Sequence, residues 1–360
     1  MQERATLHRF SDAMMNLTSP AMTAAAILGA FLASCWLTSV VRRYALGRSI
    51  VDRPNPRSSH SLPTPRGGGA AIAVSWFLAL GWLVVSGLLD TWVGLALLAG
   101  GGAIALIGWV DDRRGLPATV RAGVHLAAAV WAVWCLGGFP FLDVGVRVAP
   151  LGWMGGVLAV FGIAWLTNLY NFMDGIDGLA AGEAVSVGLV AGGLLMASGA
   201  DGLALAALSL AAAAGGFLVF NWPPAKIFMG DVGSGLLGYA FGVLAMASER
   251  AGAVPLIVWM MLLAVFIVDA TATLVRRIVN GERWFEAHRS HAYQRAVQTG
   301  YSHRDVTVAV MGLNALLAVA ATGAWLAPAL LPVVLAVTVG GLVGIWYWFC
   351  CSRAVRPCSD

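Results

Sequence analysis

The chain has 360 residues, of which 59% are hydrophobic and only 11% charged, with a formal net charge of +4. Soluble globular domains carry about 25% charged residues, so a soluble fold is excluded. No Lys/Arg-rich tract of the kind that follows a phosphate backbone occurs, which removes nucleic acid as a partner.

Apolar runs recur along almost the whole length, and a bilayer span needs about 20 predominantly apolar residues. By that measure eleven spans are expected, near 20–41, 68–89, 92–110, 117–137, 151–170, 179–199, 203–220, 235–248, 254–275, 306–327 and 329–350. The first 19 residues are mixed polar and no small-residue cleavage site follows the first run, which therefore reads as a retained helix. The 44 glycines suit close helix approach in lipid, and part of the 15 tryptophans sit near run ends as interface anchors do. Cys35, Cys135, Cys350, Cys351 and Cys358 form no CxxC pair or metal-ligand spacing and read as buried or cytosolic thiols. No linker, second domain or internal repeat interrupts the pattern. Residues 1–360 are expected to form a single all-α, polytopic membrane helical bundle, because lipid tolerates only helices and closed barrels.

Charge sets the orientation. With the amino terminus outside, one set of loops holds 18 of the 22 Lys and Arg residues. Only Arg4, Arg9, Arg147 and Arg250 fall on the other side. That asymmetry predicts a periplasmic N-terminus, a cytoplasmic C-terminus and a bacterial inner-membrane location. Asp111, Asp112, Asp174, Asp177, Asp231, His60, His288 and His291 all fall on the cytoplasmic side, which the Lys/Arg rule does not require. A pure transporter, the reading from another class, would carry ionisable groups near the midplane. Chemistry at a membrane surface suggests one soluble and one membrane-borne substrate.

Five clusters carry this chemistry. The first runs from Asp52 through Arg57 and His60 to Arg66-Gly67-Gly68-Gly69, either a phosphate-binding loop or a basic loop with turn residues. Asp111-Asp112-Arg113-Arg114 places two adjacent carboxylates at a membrane edge, solvated and paired with Arg113 and Arg114 or bound to metal, and Arg121 follows in the next helix. The third cluster, Asn168 to Leu179, holds Asn168, Asn171, Asp174 and Asp177 with no basic partner in the segment. The fourth, Asn221 to Ser234, sets Asp231 between Gly230 and Gly233 with Phe228 three residues earlier. Mg²⁺ is commonly held by one or two carboxylates plus substrate phosphates, which suits such a site. In the fifth, His288-Arg289-Ser290-His291 presents several donors to a pyrophosphate, and no further ligand has a zinc spacing. Asp269, inside the ninth expected span, reads as a helix–helix hydrogen-bonding residue.

In order and in residue strings such as NLYNFMDGIDGLAAG, FNWPPAKIFMGDVGS and AHRSHAYQR, residues 50–296 resemble the polyprenyl-phosphate N-acetylhexosamine-1-phosphate transferases, the MraY/WecA-like superfamily or glycosyltransferase family 4. The resemblance implies transfer of a sugar 1-phosphate from a UDP-N-acetylhexosamine to undecaprenyl or another polyprenyl phosphate, releasing UMP. The HRSHAYQR form resembles the branch that primes O-antigen and other surface polysaccharides. The peptidoglycan branch usually has three consecutive histidines there, and phospho-N-acetylmuramoyl-pentapeptide transfer is the alternative. The resemblance further implies Mg²⁺, replaceable by Mn²⁺, on Asp231, with Asp111 and Asp112 as further candidate ligands facing the lipid phosphate. Asn168, Asn171, Asp174 and Asp177 would line the nucleotide site and Phe228 would stack on uracil. His288, Arg289 and His291 would contact the diphosphate, with Arg57, His60 and Arg121 as further substrate contacts. A homodimer is the assembly left open.

A phosphate monoester has a second pKa near about 6, so the nucleophile is already largely ionised at neutral pH. Bringing several anions together is the larger problem. Asp111 and Asp112 are therefore expected to position phosphate and metal, with proton acceptance as the alternative.

Overall fold

The computed structural model describes residues 20–48, 51–52, 63–283 and 288–351. Arg57 and His60 lie outside the described residues. The chain runs α1 (Pro20–Gly47), β1 (Val51–Asp52), β2 (Thr64–Pro65), α2 (Gly69–Val85) and α3 (Thr91–Arg114). It continues through α4 (Ala118–Cys135), β3 (Phe141–Asp143), β4 (Val148–Pro150), α5 (Gly152–Phe172), α6 (Leu179–Ala197) and α7 (Asp201–Asn221). The last elements are α8 (Asp231–Arg250), α9 (Leu256–Leu262), α10 (Ala264–Val279), the short α11 (Ala292–Gln298), α12 (His303–Leu326) and α13 (Leu331–Cys351). The strands form two small antiparallel ribbons, β1 with β2 and β3 with β4.

This is an all-α polytopic membrane protein. Among the described residues nine helices are long and apolar enough to cross a bilayer, and α9 with α10 makes a tenth if the bent pair is one span. The count differs from eleven because α2, although apolar, has only 17 residues. The run at 254–275, expected as one helix, is broken at Leu263 and bent by 80°. No Pro or Gly stands at the break. Past it, Asp269, Thr273 and Arg277 recur every four residues and are all buried. The bend turns that polar stripe towards the segment around α11 instead of into lipid.

Helix α8 occupies the middle of the bundle, packed on α2, α3 and α5, and every residue from Val232 to Glu249 is buried. The expected span there, 235–248, was too short because Asp231, Gly233 and Ser234 do not score as apolar, yet they form its first turn. Small residues let its neighbours come close. At Gly108 of α3 a Cβ would stand 2.6 Å from the carbonyl carbon and oxygen of Asp231, so the backbones of α3 and α8 nearly touch there. Farther along α3, within the wide π turn at Ala96–Gly100, the carbonyl of Ala96 accepts the Tyr239 hydroxyl of α8 at 2.8 Å. At the opposite end of α8, the Glu249 carboxylate accepts the backbone N–H groups of Asp143 and Leu256, tying β3 and α9 to it.

Gly108→Leu is expected to destabilise the purified protein by at least the roughly 1–3 kcal/mol typical of overpacking. Gly102→Ala, with nothing within 4 Å of its Cβ, should leave the unfolding temperature unchanged. Thermal unfolding in detergent compares the two.

Candidate active site

The ends of α3 and α5, the starts of α4 and α8, and the segments 64–68, 173–178 and 222–230 meet at one end of the bundle. Segment 64–68 is zipped to segment 227–230 by main chain. Phe228 N–H donates to the Pro65 carbonyl at 2.8 Å, Gly67 and Gly68 N–H to the Phe228 carbonyl at 3.2 and 2.9 Å, and Gly69 N–H to the Met229 carbonyl at 2.8 Å. This pairing delivers Arg66 to the start of α8.

Asp231 is the hub. Its Oδ1 accepts Arg66 Nη2 and Asn171 Nδ2, each at 3.0 Å, and its Oδ2 lies 3.6 Å from Arg121 Nη1. The same Arg66 Nη2 is 2.9 Å from Asp112 Oδ1, and Arg121 Nη1 donates to Asp111 Oδ2 at 2.7 Å. Asn171 also donates to the Ser234 hydroxyl at 2.9 Å. The Asp231 N–H, one of the orphan donors at the start of α8, is held by both carboxylate oxygens of Asp112 at 3.1 and 3.0 Å. Asp112 thus caps a helix from a different helix. Gly230, at φ 77°, makes room, because a Cβ there would lie 2.5 Å from Asp112 Oδ2. The partners of the two adjacent aspartates are therefore Arg66 and Arg121, not the Arg113 and Arg114 that follow them. Arg113 instead lies over the Trp109 ring at 4.1 Å.

Asp174 faces the same cluster. Burial pushes its carboxyl well above the usual carboxylate range, Asp231, Asp112 and Asp177 add to the shift, and Arg66 opposes it. Burial lowers the Arg66 guanidinium, but Asp112, Asp231, Asp52 and Asp174 outweigh it and raise its pKa. Around this point Asp111, Asp112 and Asp231 bring three carboxylates, with Asp174 beside them, whereas Arg66 and Arg121 bring two guanidinium groups. The local balance is short of positive charge.

Not all the polar residues of 168–177 point the same way. Asn168 donates to the Ala164 carbonyl of its own helix at 2.7 Å, beside His125 of α4. Asp177 turns away from Asp231. Its Oδ2 accepts Ala225 N–H at 3.0 Å and its Oδ1 lies 3.3 Å from Nδ1 of His303, the first residue of α12. The neighbouring Gly178 N–H donates to Asn221 Oδ1 at 2.9 Å, and Asn221 Nδ2 donates to the Ile227 carbonyl at 3.0 Å. Phe228 is half-buried on the 227–230 segment.

The His288–His291 segment is anchored from α10. The Asp269 carboxylate accepts Ala292 N–H at 2.9 Å, Tyr293 N–H at 3.2 Å and Thr273 Oγ1 at 3.2 Å, and lies 3.4 Å from His291 Nδ1. The Tyr293 hydroxyl donates to the Phe172 carbonyl at 2.9 Å, which fastens α11 two residues ahead of Asp174. His288 Nδ1 is 2.9 Å from the Ser290 hydroxyl, and its ring lies 4.9 Å from that of His291. Burial first, then the positive neighbours His291, Arg277 and Arg276, lower the pKa of His288 to about 4, with Asp269 opposing. His288 is thus neutral near pH 7. Asp269, read from sequence as a helix–helix hydrogen-bonding residue, turns out to cap α11. His303 did not stand out as a site residue in the sequence, whereas Arg66 was read with Arg57 and His60 as positive charge suited to phosphates, without its carboxylate partners.

Residues 94–249 match the glycosyl transferase family 4 profile. A probable undecaprenyl-phosphate N-acetylglucosaminyl 1-phosphate transferase of Bacillus subtilis is 34% identical over 273 residues, covering 74% of this chain and 75% of the relative. The chain belongs to glycosyl transferase family 4, the MraY/WecA-like family. Other relatives of this family include a decaprenyl-phosphate N-acetylglucosaminephosphotransferase of Mycolicibacterium smegmatis, 33% identical over 79% of this chain and 77% of the relative. A phospho-N-acetylmuramoyl-pentapeptide-transferase of Synechococcus is 32% identical over 81% of this chain and 88% of the relative. Arg66 and the His288–His291 segment lie outside the residues matched by the family profile, and the fold brings both to it.

Two outcomes follow. Asp112→Ala should cost about 0.5–2 kcal/mol of stability through the lost cap, and Asp112→Asn, which keeps one accepting oxygen, less; chemical denaturation in detergent ranks them. For His288 the unfolded chain takes up a proton near pH 6.5 and the folded chain only near 4, so stability is lost as pH falls through that interval. Replacing His288 with Gln should flatten this part of the unfolding-temperature profile.

Proposed function

We propose that this chain transfers an N-acetylhexosamine 1-phosphate from a UDP-sugar to a polyprenyl phosphate, giving the polyprenyl-diphosphate-sugar and UMP. The observation that carries the reading is the Asp231 hub, where residues from three other sequence clusters converge on one carboxylate. The names of the Bacillus and Mycolicibacterium relatives support the reaction and the N-acetylglucosamine class of donor. Arg289-Ser290-His291, in place of consecutive histidines, favours priming of a surface polysaccharide such as O-antigen, and the Synechococcus relative keeps the muramoyl-pentapeptide donor in the test panel. The Lys/Arg asymmetry supports an inner-membrane enzyme whose site faces the cytoplasm, where UDP-sugars are made.

In the reaction an oxygen of the lipid phosphate forms a bond to the sugar-linked phosphorus, and the bond from that phosphorus to the bridging oxygen breaks, releasing UMP. Neither step needs a strong base, since the monoester is already largely ionised. Arg66 and Arg121, already aimed at the hub, would neutralise phosphate oxygens. The donor set is hard oxygen only, and its excess of carboxylates over guanidinium groups fits Mg²⁺. Asp231 would hold it, with Asp111 and Asp112 as neighbours, and bound Mg²⁺ supplies charge neutralisation to phosphate oxygens. His288, neutral, and His291 would donate hydrogen bonds to the diphosphate together with Arg289. Asn171 and Asp174 would line the nucleotide side and Phe228 would stack on uracil.

The purified chain should release UMP from UDP-N-acetylglucosamine in the presence of polyprenyl phosphate and Mg²⁺. Absence of release across a panel of UDP-N-acetylhexosamines and UDP-N-acetylmuramoyl-pentapeptide would sink the reading. Asp231→Asn should lose at least about 100-fold in turnover, in part recovered at high Mg²⁺. Asp111→Asn should keep measurable turnover, and its complete inactivity with the structure intact would favour proton acceptance instead.

A further inference from the structure

One face of α12 lies along the segment that runs from Asp177 into α6. His303, Thr307, Met311 and Asn314 are spaced four, four and three residues apart, hence on one side of a helix. His303 Nδ1 stands 3.3 Å from Asp177 Oδ1, and the Thr307 hydroxyl donates to the Asp177 carbonyl at 2.8 Å. Next, Met311 Sδ would be 3.6 Å from a Cβ at Gly182. Finally, Asn314 Nδ2 donates to Glu183 Oε2 at 2.6 Å. The contacts keep register from the site end into the bundle.

The last pair is chemically unusual. Glu183 is 1% and Asn314 4% exposed, and Glu183 takes part in none of the ion pairs found among the described residues. Isolated buried carboxylates are costly enough that the group takes up a proton instead. The second oxygen of each group, Glu183 Oε1 and Asn314 Oδ1, is buried without a hydrogen-bond partner. One proton on Glu183 Oε1 satisfies both, since the acid O–H then donates to the amide oxygen while the amide N–H donates to the acid carbonyl.

We propose that this face of α12 is a positioning seam that sets the Asp174–Asp177 loop for the nucleotide, and that Glu183 is held in it as the neutral acid. The kinetic part rests on the transferase reading above; the protonation part does not. Asp177 is the link. With one oxygen on Ala225 N–H, the other beside His303 and its carbonyl on Thr307, its backbone and side chain are both set by α12. His303, Thr307, Glu183 and Asn314 act through Asp177 and are positioning residues.

The test uses the full-length chain purified in detergent. Infrared difference spectra between wild type and Glu183→Gln at neutral pH should show the carbonyl stretch of a protonated carboxyl that is present in the wild type and lost in the variant; a carboxylate band in its place overturns the neutral acid. Glu183→Gln, whose amide N–H replaces the acid O–H, should keep wild-type unfolding temperature and activity, and Glu183→Leu should not. Equal damage by Gln and Leu overturns the pairing. Thr307→Val and His303→Ala should raise KM for the UDP-sugar about tenfold, the worth of one hydrogen bond, with kcat and the lipid KM within about twofold. Thr307→Ser should restore the wild-type value. A fall in kcat alone, or an equal rise of both KM values, overturns the seam. If the wild type releases no UMP, the transferase reading has failed, while the infrared band and the Gln-against-Leu comparison still decide the state of Glu183.

Discussion

The hydrogen bonds from Asp231 N–H to the Asp112 carboxylate hold the rest of the site in place. They close the open end of the most buried helix in the bundle with a side chain from the neighbouring helix, so the two cannot slide without exposing an orphan donor. The close approach at Gly108 and the space left at Gly230 are the steric conditions for that contact. With α3 and α8 locked, Asp231 stands within reach of Arg66, Arg121 and Asn171 together. A Cβ at either glycine would separate these groups without touching any of them chemically.

The lock also concentrates charge. A carboxylate used as a cap, next to a second one on the same helix and a third at the capped residue, makes a site that repels further anions unless cations arrive. Arg66 and Arg121 come from segments distant in sequence and offset part of it. Desolvation first, and then the carboxylates that the two arginines leave uncompensated, raise the pKa of Asp174. For a reaction that must join two phosphate-bearing substrates, such a site is useful only with a cation at hand, which is why the proposed chemistry leans on charge neutralisation more than on a base.

Much of this was legible in the sequence, and the exceptions have physical reasons. Hydropathy located the helices because span-forming is a summed property of about 20 residues. It misjudged the first turn of α8, where Asp231, Gly233 and Ser234 score as loop but belong to the helix. It could not see the bend at Leu263, since no Pro or Gly marks it and only the buried polar stripe beyond it sets the segment apart from a single span. The clustered Asp, Asn and His residues on one side were readable from loop order alone. Their pairing was not. Arg113 and Arg114 look like partners of Asp112 on paper, but residues one and two places apart on a helix face different ways. The actual partner, Arg66, arrives through main-chain bonds to Phe228 that side-chain motifs do not encode.

The division of labour within 168–178 follows from the same geometry. Asn171 and Asp174 face the hub, whereas Asp177 is engaged by Ala225 and His303 and Asn168 by its own helix. A motif of four oxygen-bearing side chains therefore contains two kinds of residue, those directed at the charged centre and those holding the loop that directs them. The spacing explains which is which. Asn171, on the last turn of α5, inherits the direction of that helix, while Asp177, next to the left-handed Gly178 at the start of α6, is free to turn back onto 221–225 and α12. The loop between them is short, so its conformation is set from both ends: by Tyr293 on the Phe172 carbonyl and by α12 on Asp177. Displacement of either support would move Asp174 relative to Asp231 without altering one residue of the hub.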